Sequence, residues 1–77
     1  MKDGKYRLKF LAEIANSPKL PSELASKFNI SRVSVSRILK DLKEMGLIES
    51  FQSNSRTILY SITDEGKRAL REVKNVR

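Results

Sequence analysis

The sequence contains no cysteine and no histidine. Without cysteine there is no disulfide or thiolate staple, so packing alone must hold the fold. Without either residue type, and with its carboxylates scattered along 77 residues, the chain offers neither a nucleophile–base pair nor a ligand cluster. No enzyme, cofactor or metal site is therefore expected. Long apolar runs are absent too, which excludes a membrane-spanning helix. Met1-Lys2-Asp3-Gly4-Lys5 leads into an amphipathic segment and not into the unbroken apolar stretch of a signal peptide, so the expected location is the cytoplasm. Hydrophobic residues make up 39% of the chain, enough for one small core. A single domain over residues 1–77 is expected, of a size that often gains stability from a second copy.

Positive charge is what the chain has in excess. Sixteen Lys and Arg stand against nine Asp and Glu, a net charge of +7. Such a balance favours a polyanionic partner, either nucleic acid or an acidic membrane surface. Its distribution is uneven. Residues 32–43 carry four basic side chains against one acidic, and residues 44–49 carry two acidic side chains.

The stretch from Pro21 to Met45 organises the rest. Pro21 suits the first position of a helix, where its missing N–H costs nothing. Leu24, Ala25 and Phe28 then share one face. Leu20, at the cap position, has no side-chain acceptor, which predicts a helix start weaker by about 1 kcal/mol than one capped by serine. Ile30 sits in the break that follows and is placed to plug the gap between two helices. Ser31 is the expected cap of the next helix. Val35, Ile38, Leu39 and Leu42 form its apolar stripe. Arg32, Ser34, Ser36, Arg37 and Lys40 are left for the opposite face. That arrangement fits a helix-turn-helix whose second helix enters a DNA major groove.

Each polar residue of this segment has a candidate role. Arg37 is the best match to a guanine edge, because its planar fork fits O6 and N7. Arg32 suits a base or a phosphate. Ser34 and Ser36 are short enough to let the helix approach bases or phosphates closely. Lys40 and Lys43 suit phosphate contacts or a solvated face. Ser22, in the first turn of its helix, is a phosphate candidate or a plain surface serine. Val33 is either exposed, where it would touch a thymine methyl, or partly buried. Gly46 fits a left-handed helix terminus.

Around this centre the chain supplies a frame. A helix is expected from about Lys5 to Asn16, with Leu8, Leu11, Ile14 and Ala15 as its main inward stripe. Tyr6 and Phe10 form a second stripe, read either as extra core or as a strip for a second subunit. Residues 47–51 and 56–62 read as two strands of an antiparallel hairpin, with Ile58, Tyr60 and Ile62 on one face. The turn has neither proline nor glycine, and Asn54 is its natural left-handed residue. Asn54 and Arg56, at the exposed tip, complete the candidate DNA contacts. Thr63 is the expected cap of a last helix, with Asp64 and Glu65 in its first turn. Gly66 inside that turn implies close backbone packing. Ala69, Leu70 and Val73 should face inward, with Val76 continuing the stripe.

Taken in order, Pro21–Ala25, Ser31–Leu42, Gly46–Ile48 and Ile62–Gly66 resemble the winged helix-turn-helix transcription regulators of bacteria and archaea. The minimal DNA-binding portions of the MarR-like and ArsR-like groups are the most similar. The resemblance implies an α+β fold: a three-helix core, a two-stranded antiparallel wing and a C-terminal helix. It implies that the helix beginning near Ser31 reads the major groove, and that Arg56 matches a basic residue following the wing tip. The metal-binding cysteines usual in ArsR-like proteins are absent. The expected function is sequence-specific binding of double-stranded DNA by a homodimer that regulates transcription as a repressor. A DNA binder with little sequence preference and a protein–protein interaction module on the same fold are its rivals.

Overall fold

The computed structural model describes residues 2–54 and 56–75, with side chains described for 6–54 and 56–72. Helix α1 spans Lys2–Asn16, α2 Pro21–Phe28, α3 Arg32–Glu44 and α4 Asp64–Asn75; strands β1 (Ile48–Gln52) and β2 (Ile58–Ile62) lie between α3 and α4. The strands pair antiparallel with Ile48 opposite Ile62 and Phe51 opposite Leu59. This is the α+β winged-helix fold that the resemblance implies. The expected inward residue Val76 lies outside the described residues, as does the side chain of Val73.

The core is built where the three first helices meet. Phe10, Leu11 and Ile14 of α1, Leu24 of α2, Val35, Ile38, Leu39 and Leu42 of α3, and Ile48 of β1 are all buried. The α3 stripe is as expected. The α1 stripe is rotated: Leu8 and Ala15 are exposed, and Phe10 takes the inward position. The cause lies in α2. Phe28 stacks on Phe10 at a centroid distance of 5.2 Å, and Tyr6 meets both rings edge-on at 6.3 and 6.0 Å. A stacked pair with an edge-on neighbour adds about 0.5–1.5 kcal/mol per contact beyond area burial. Of the two readings of Tyr6 and Phe10, extra core is the one the structure shows.

The helix ends are closed by the backbone. Asn29 takes the left-handed conformation (φ 54°, ψ 50°) after α2, and the Ile30 N–H donates to the Ala25 carbonyl at 3.1 Å. Ile30 then packs against the core, as its place in the break suggested. At the end of α3, Gly46 has φ +78°, with Gly46 N–H on Lys43 O and Leu47 N–H on Leu42 O, both at 3.0 Å. These are the paired bonds of a Schellman terminus. Thr63 Oγ1 accepts from Gly66 N at 3.0 Å and donates to Gly46 O at 2.6 Å. One hydroxyl thus caps α4 and fastens it to the end of α3. A Cβ on Gly66 would overlap the Leu47 carbonyl oxygen, so only glycine allows this approach.

The start of α2 is better supported than expected. Leu20 provides no side-chain cap, but the Glu23 carboxylate accepts the Leu20 N–H at 2.7 Å. Half of a capping box is therefore present, and it satisfies a backbone donor that would otherwise be orphaned. Nearby, Lys19 and Tyr60 exchange both backbone hydrogen bonds at 2.9 Å. This single bridge adds a short third edge to the wing and sets the α2 N-terminus beside β2.

Candidate nucleic-acid interface

Helical geometry divides α3 into four arcs. Successive residues turn by about 100°, so Val35, Ile38, Leu39 and Leu42 fall on one side and Val33, Ser36, Arg37 and Lys40 on the other. The exposure pattern agrees: the first four are buried and the second four exposed. Two flanks lie between. On one flank, Ser34 is half-buried and Asp41 pairs with Arg7 of α1 at 3.2 Å. On the other flank, Arg32 and Lys43 face the wing, and the Lys43 ammonium donates to Ser50 Oγ at 2.9 Å. Glu44 is exposed one turn beyond Lys40 and ends the basic arc.

The start of α3 is fixed by Ser31. Its Oγ accepts the Ser34 N–H at 3.1 Å and its hydroxyl donates to Ser34 Oγ at 3.1 Å. Ser31 is thus a cap, as expected, and Ser34 retains its own hydroxyl proton for another acceptor.

A cleft of about 370 Å³ opens between the α2 N-terminus, the first turn of α3 and the base of the wing. Leu20, Pro21, Ser22, Arg32, Arg56, Thr57, Ile58 and Tyr60 line it. The structure therefore brings Ser22, Arg32 and Arg56 together from three elements. Arg56 is positioned by Asn54, though not by a left-handed turn. Among the described residues, Asn29 is the non-glycine residue with positive φ, and Asn54 is not. Instead, Asn54 Oδ1 accepts from the backbone N–H groups of Arg56 and Thr57, both at 3.0 Å. This side-chain-to-backbone turn accompanies a longer backbone bond from Thr57 N–H to Asn54 O at 3.4 Å. Ile58 keeps the face of Tyr60 and Ile62 but is exposed, because it lies beyond the cover of the helices.

Among the described residues, carboxylates neutralise some cations of the domain and leave others unpaired, among them Lys67 and Arg71 on α4. Those held are Arg7 by Asp41 at 3.2 Å, Lys27 by Glu13 at 3.1 Å, Lys19 by Glu13 at 4.0 Å and Arg68 by Glu65 at 2.8 Å. Arg32, Arg37, Lys40 and Arg56 make no ion pair among the described residues. Four unneutralised cations thus share the side of the molecule that carries the α3 face and the cleft.

Two residues important to this geometry escaped the sequence pattern. Asn29, which sets the turn between α2 and α3, had the signal of a residue tolerant of left-handed backbone. Lys19 joins the wing through its backbone, which no side-chain pattern could show. Among the described residues no helix is long and apolar enough to cross a membrane.

Comparison with known proteins gives the fold a context. A family model described as the HVO_A0261 N-terminal domain matches residues 3–77. No curated protein matches the chain in sequence. Among solved structures, Lactococcus lactis ZitR in complex with DNA is 28% identical, with a TM-score of 0.78 over 86% of this chain and 47% of that one. The transcriptional regulator BldR of Sulfolobus solfataricus has a TM-score of 0.84 at 19% identity, over 91% and 52%. Streptococcus pneumoniae FabT in complex with DNA has a TM-score of 0.82 at 22% identity, over 90% and 50%. The chain spans about half the length of each. At these identities BldR and FabT establish the shared winged-helix fold.

Proposed function

The chain belongs to the HVO_A0261 N-terminal domain family, and we propose that it is a sequence-specific DNA-binding domain that regulates transcription, acting as a repressor. One observation carries this reading. The outward arc of α3 and the neighbouring cleft present Arg32, Arg37, Lys40 and Arg56 together and without carboxylate partners, while Arg7, Lys19, Lys27 and Arg68 are paired. That ZitR, a structure of the same shape, is in complex with DNA supports it.

The division of labour follows from position. Ser36 and Arg37 lie mid-arc in the first turns of α3, where a reading helix meets base edges. Arg37 donates to guanine O6 and N7. Lys40 sits further along and takes a backbone phosphate. Ser22, Arg32 and Arg56 converge on the cleft, which receives a second phosphate near the positive end of α2. Ser31 serves the helix itself, Ser34 offers its remaining hydroxyl proton to the backbone, and Lys43 and Asn54 brace the wing. Two copies would place two α3 helices in successive major grooves of a palindrome, about 34–36 Å apart. No catalytic role is assigned.

Selection from a random duplex pool tests the reading. The wild-type chain should enrich one defined site containing a guanine, and Arg37→Ala should relax that position. Enrichment of no sequence, with equal binding of all duplexes, would favour a binder without sequence preference.

A further inference from the structure

We infer that Val33 is a specificity-determining residue that reads the C5-methyl group of a thymine beside the base contacted by Arg37. The inference rests on the DNA-binding reading above and extends it to the sequence preferred.

Val33 is 69% exposed and makes no part of the core or of the apolar groups packed on it. It occupies the second position of α3, in the middle of the outward arc, one turn before Ser36 and Arg37. Valine is a poorer helix former than alanine, lysine or glutamate, so helix stability gives no reason for it here. Its methyl groups project from a short stem that is stiff at χ1. Such a group can neither donate nor accept a hydrogen bond. The thymine C5-methyl is the one apolar feature that the bases present in the major groove. Other exposed apolar residues, Leu8, Met45, Phe51 and Ile58, lie on other elements or outside this arc.

Spacing makes the inference specific. Residues four apart on a helix are separated by about 6 Å along its axis. Base pairs rise by about 3.4 Å. Val33 and Arg37 therefore span about two base-pair steps, and the thymine should lie within two steps of the guanine.

The test uses the duplex that the wild-type chain selects from the random pool, with its thymines replaced one at a time by deoxyuridine. Deoxyuridine pairs as thymine does and lacks only the methyl group. At one thymine within two steps of the guanine, wild-type affinity should fall about fourfold, the worth of one buried methyl. Val33→Ala should bind the thymine and deoxyuridine duplexes equally, with unchanged circular dichroism and unchanged dependence on the guanine. Equal wild-type affinity for all deoxyuridine duplexes overturns the inference, as does a V33A chain that keeps the fourfold difference. If a guanine is selected through Arg37 but no methyl is sensed, Val33 alone is excluded. A pool that yields no preferred sequence removes both proposals.

Discussion

Arg37 and Val35 stand two residues apart on one helix and face opposite ways, one to solvent and one wholly buried. Replacing them should therefore separate function from folding. Arg37→Ala should weaken the selected site by about 1–3 kcal/mol while leaving the thermal midpoint nearly unchanged. Val35→Ala should do the reverse, costing about 2 kcal/mol or more of stability through lost burial and an unfilled cavity, measured by urea denaturation. Gly66→Ala should also destabilise, by about 1–3 kcal/mol, because the new Cβ meets the Leu47 carbonyl oxygen and the Ile62 side chain. Gly66 and Thr63 were legible in the sequence because glycine and threonine have few reasons to sit where they do. Leu8 was not. Its spacing suited the inward stripe as well as that of Phe10, and only the Phe28 ring on the next helix decides between them.

Among the elements, the wing depends on one side chain more than its length suggests. Asn54 Oδ1 holds the N–H groups of Arg56 and Thr57, and Ser53 N–H donates to Thr57 O at 2.8 Å. Asn54→Ala should speed amide exchange at Arg56 and Thr57 without disturbing α1 or α3, and should lower DNA affinity through a less ordered Arg56. The helix termini make a related comparison. Gly46→Ala forces a side chain into φ +78° in otherwise open space, so its cost of about 1–2 kcal/mol should be purely conformational. The elements themselves were readable because periodicity and turn chemistry are local. The Lys19–Tyr60 bridge and the Arg7–Asp41 pair join residues far apart in the chain, and nothing local announces them. That bridge is what turns a serine and two arginines from separate segments into one cleft.

At the scale of the molecule, electrostatics should dominate affinity. Carboxylates pair with Arg7, Lys19, Lys27 and Arg68, and leave Arg32, Arg37, Lys40 and Arg56 unpaired on the α3 face and beside the cleft. Affinity should fall steeply with salt, and Lys40→Ala should lessen the slope of log K against log salt by about 0.9 per bound chain, alike for all sequences. Arg37→Ala should differ by changing which sequence is preferred. The burial of Phe10 leaves the core reading of the α1 aromatic strip in place of the second-subunit one, and light scattering with and without a selected duplex measures the copies bound.

The central claim is that DNA lies across the outward arc of α3 and over the cleft beside the wing. Titrating the isotopically labelled chain with its selected duplex, and following backbone amide chemical shifts, tests this most directly. The largest changes should fall at residues 31–40, at Ser22 and Glu23 in the first turn of α2, and at Arg56 and Thr57, with little change across the middle of α1. Changes concentrated on α1 or α4, with α3 and the cleft unmoved, would contradict it.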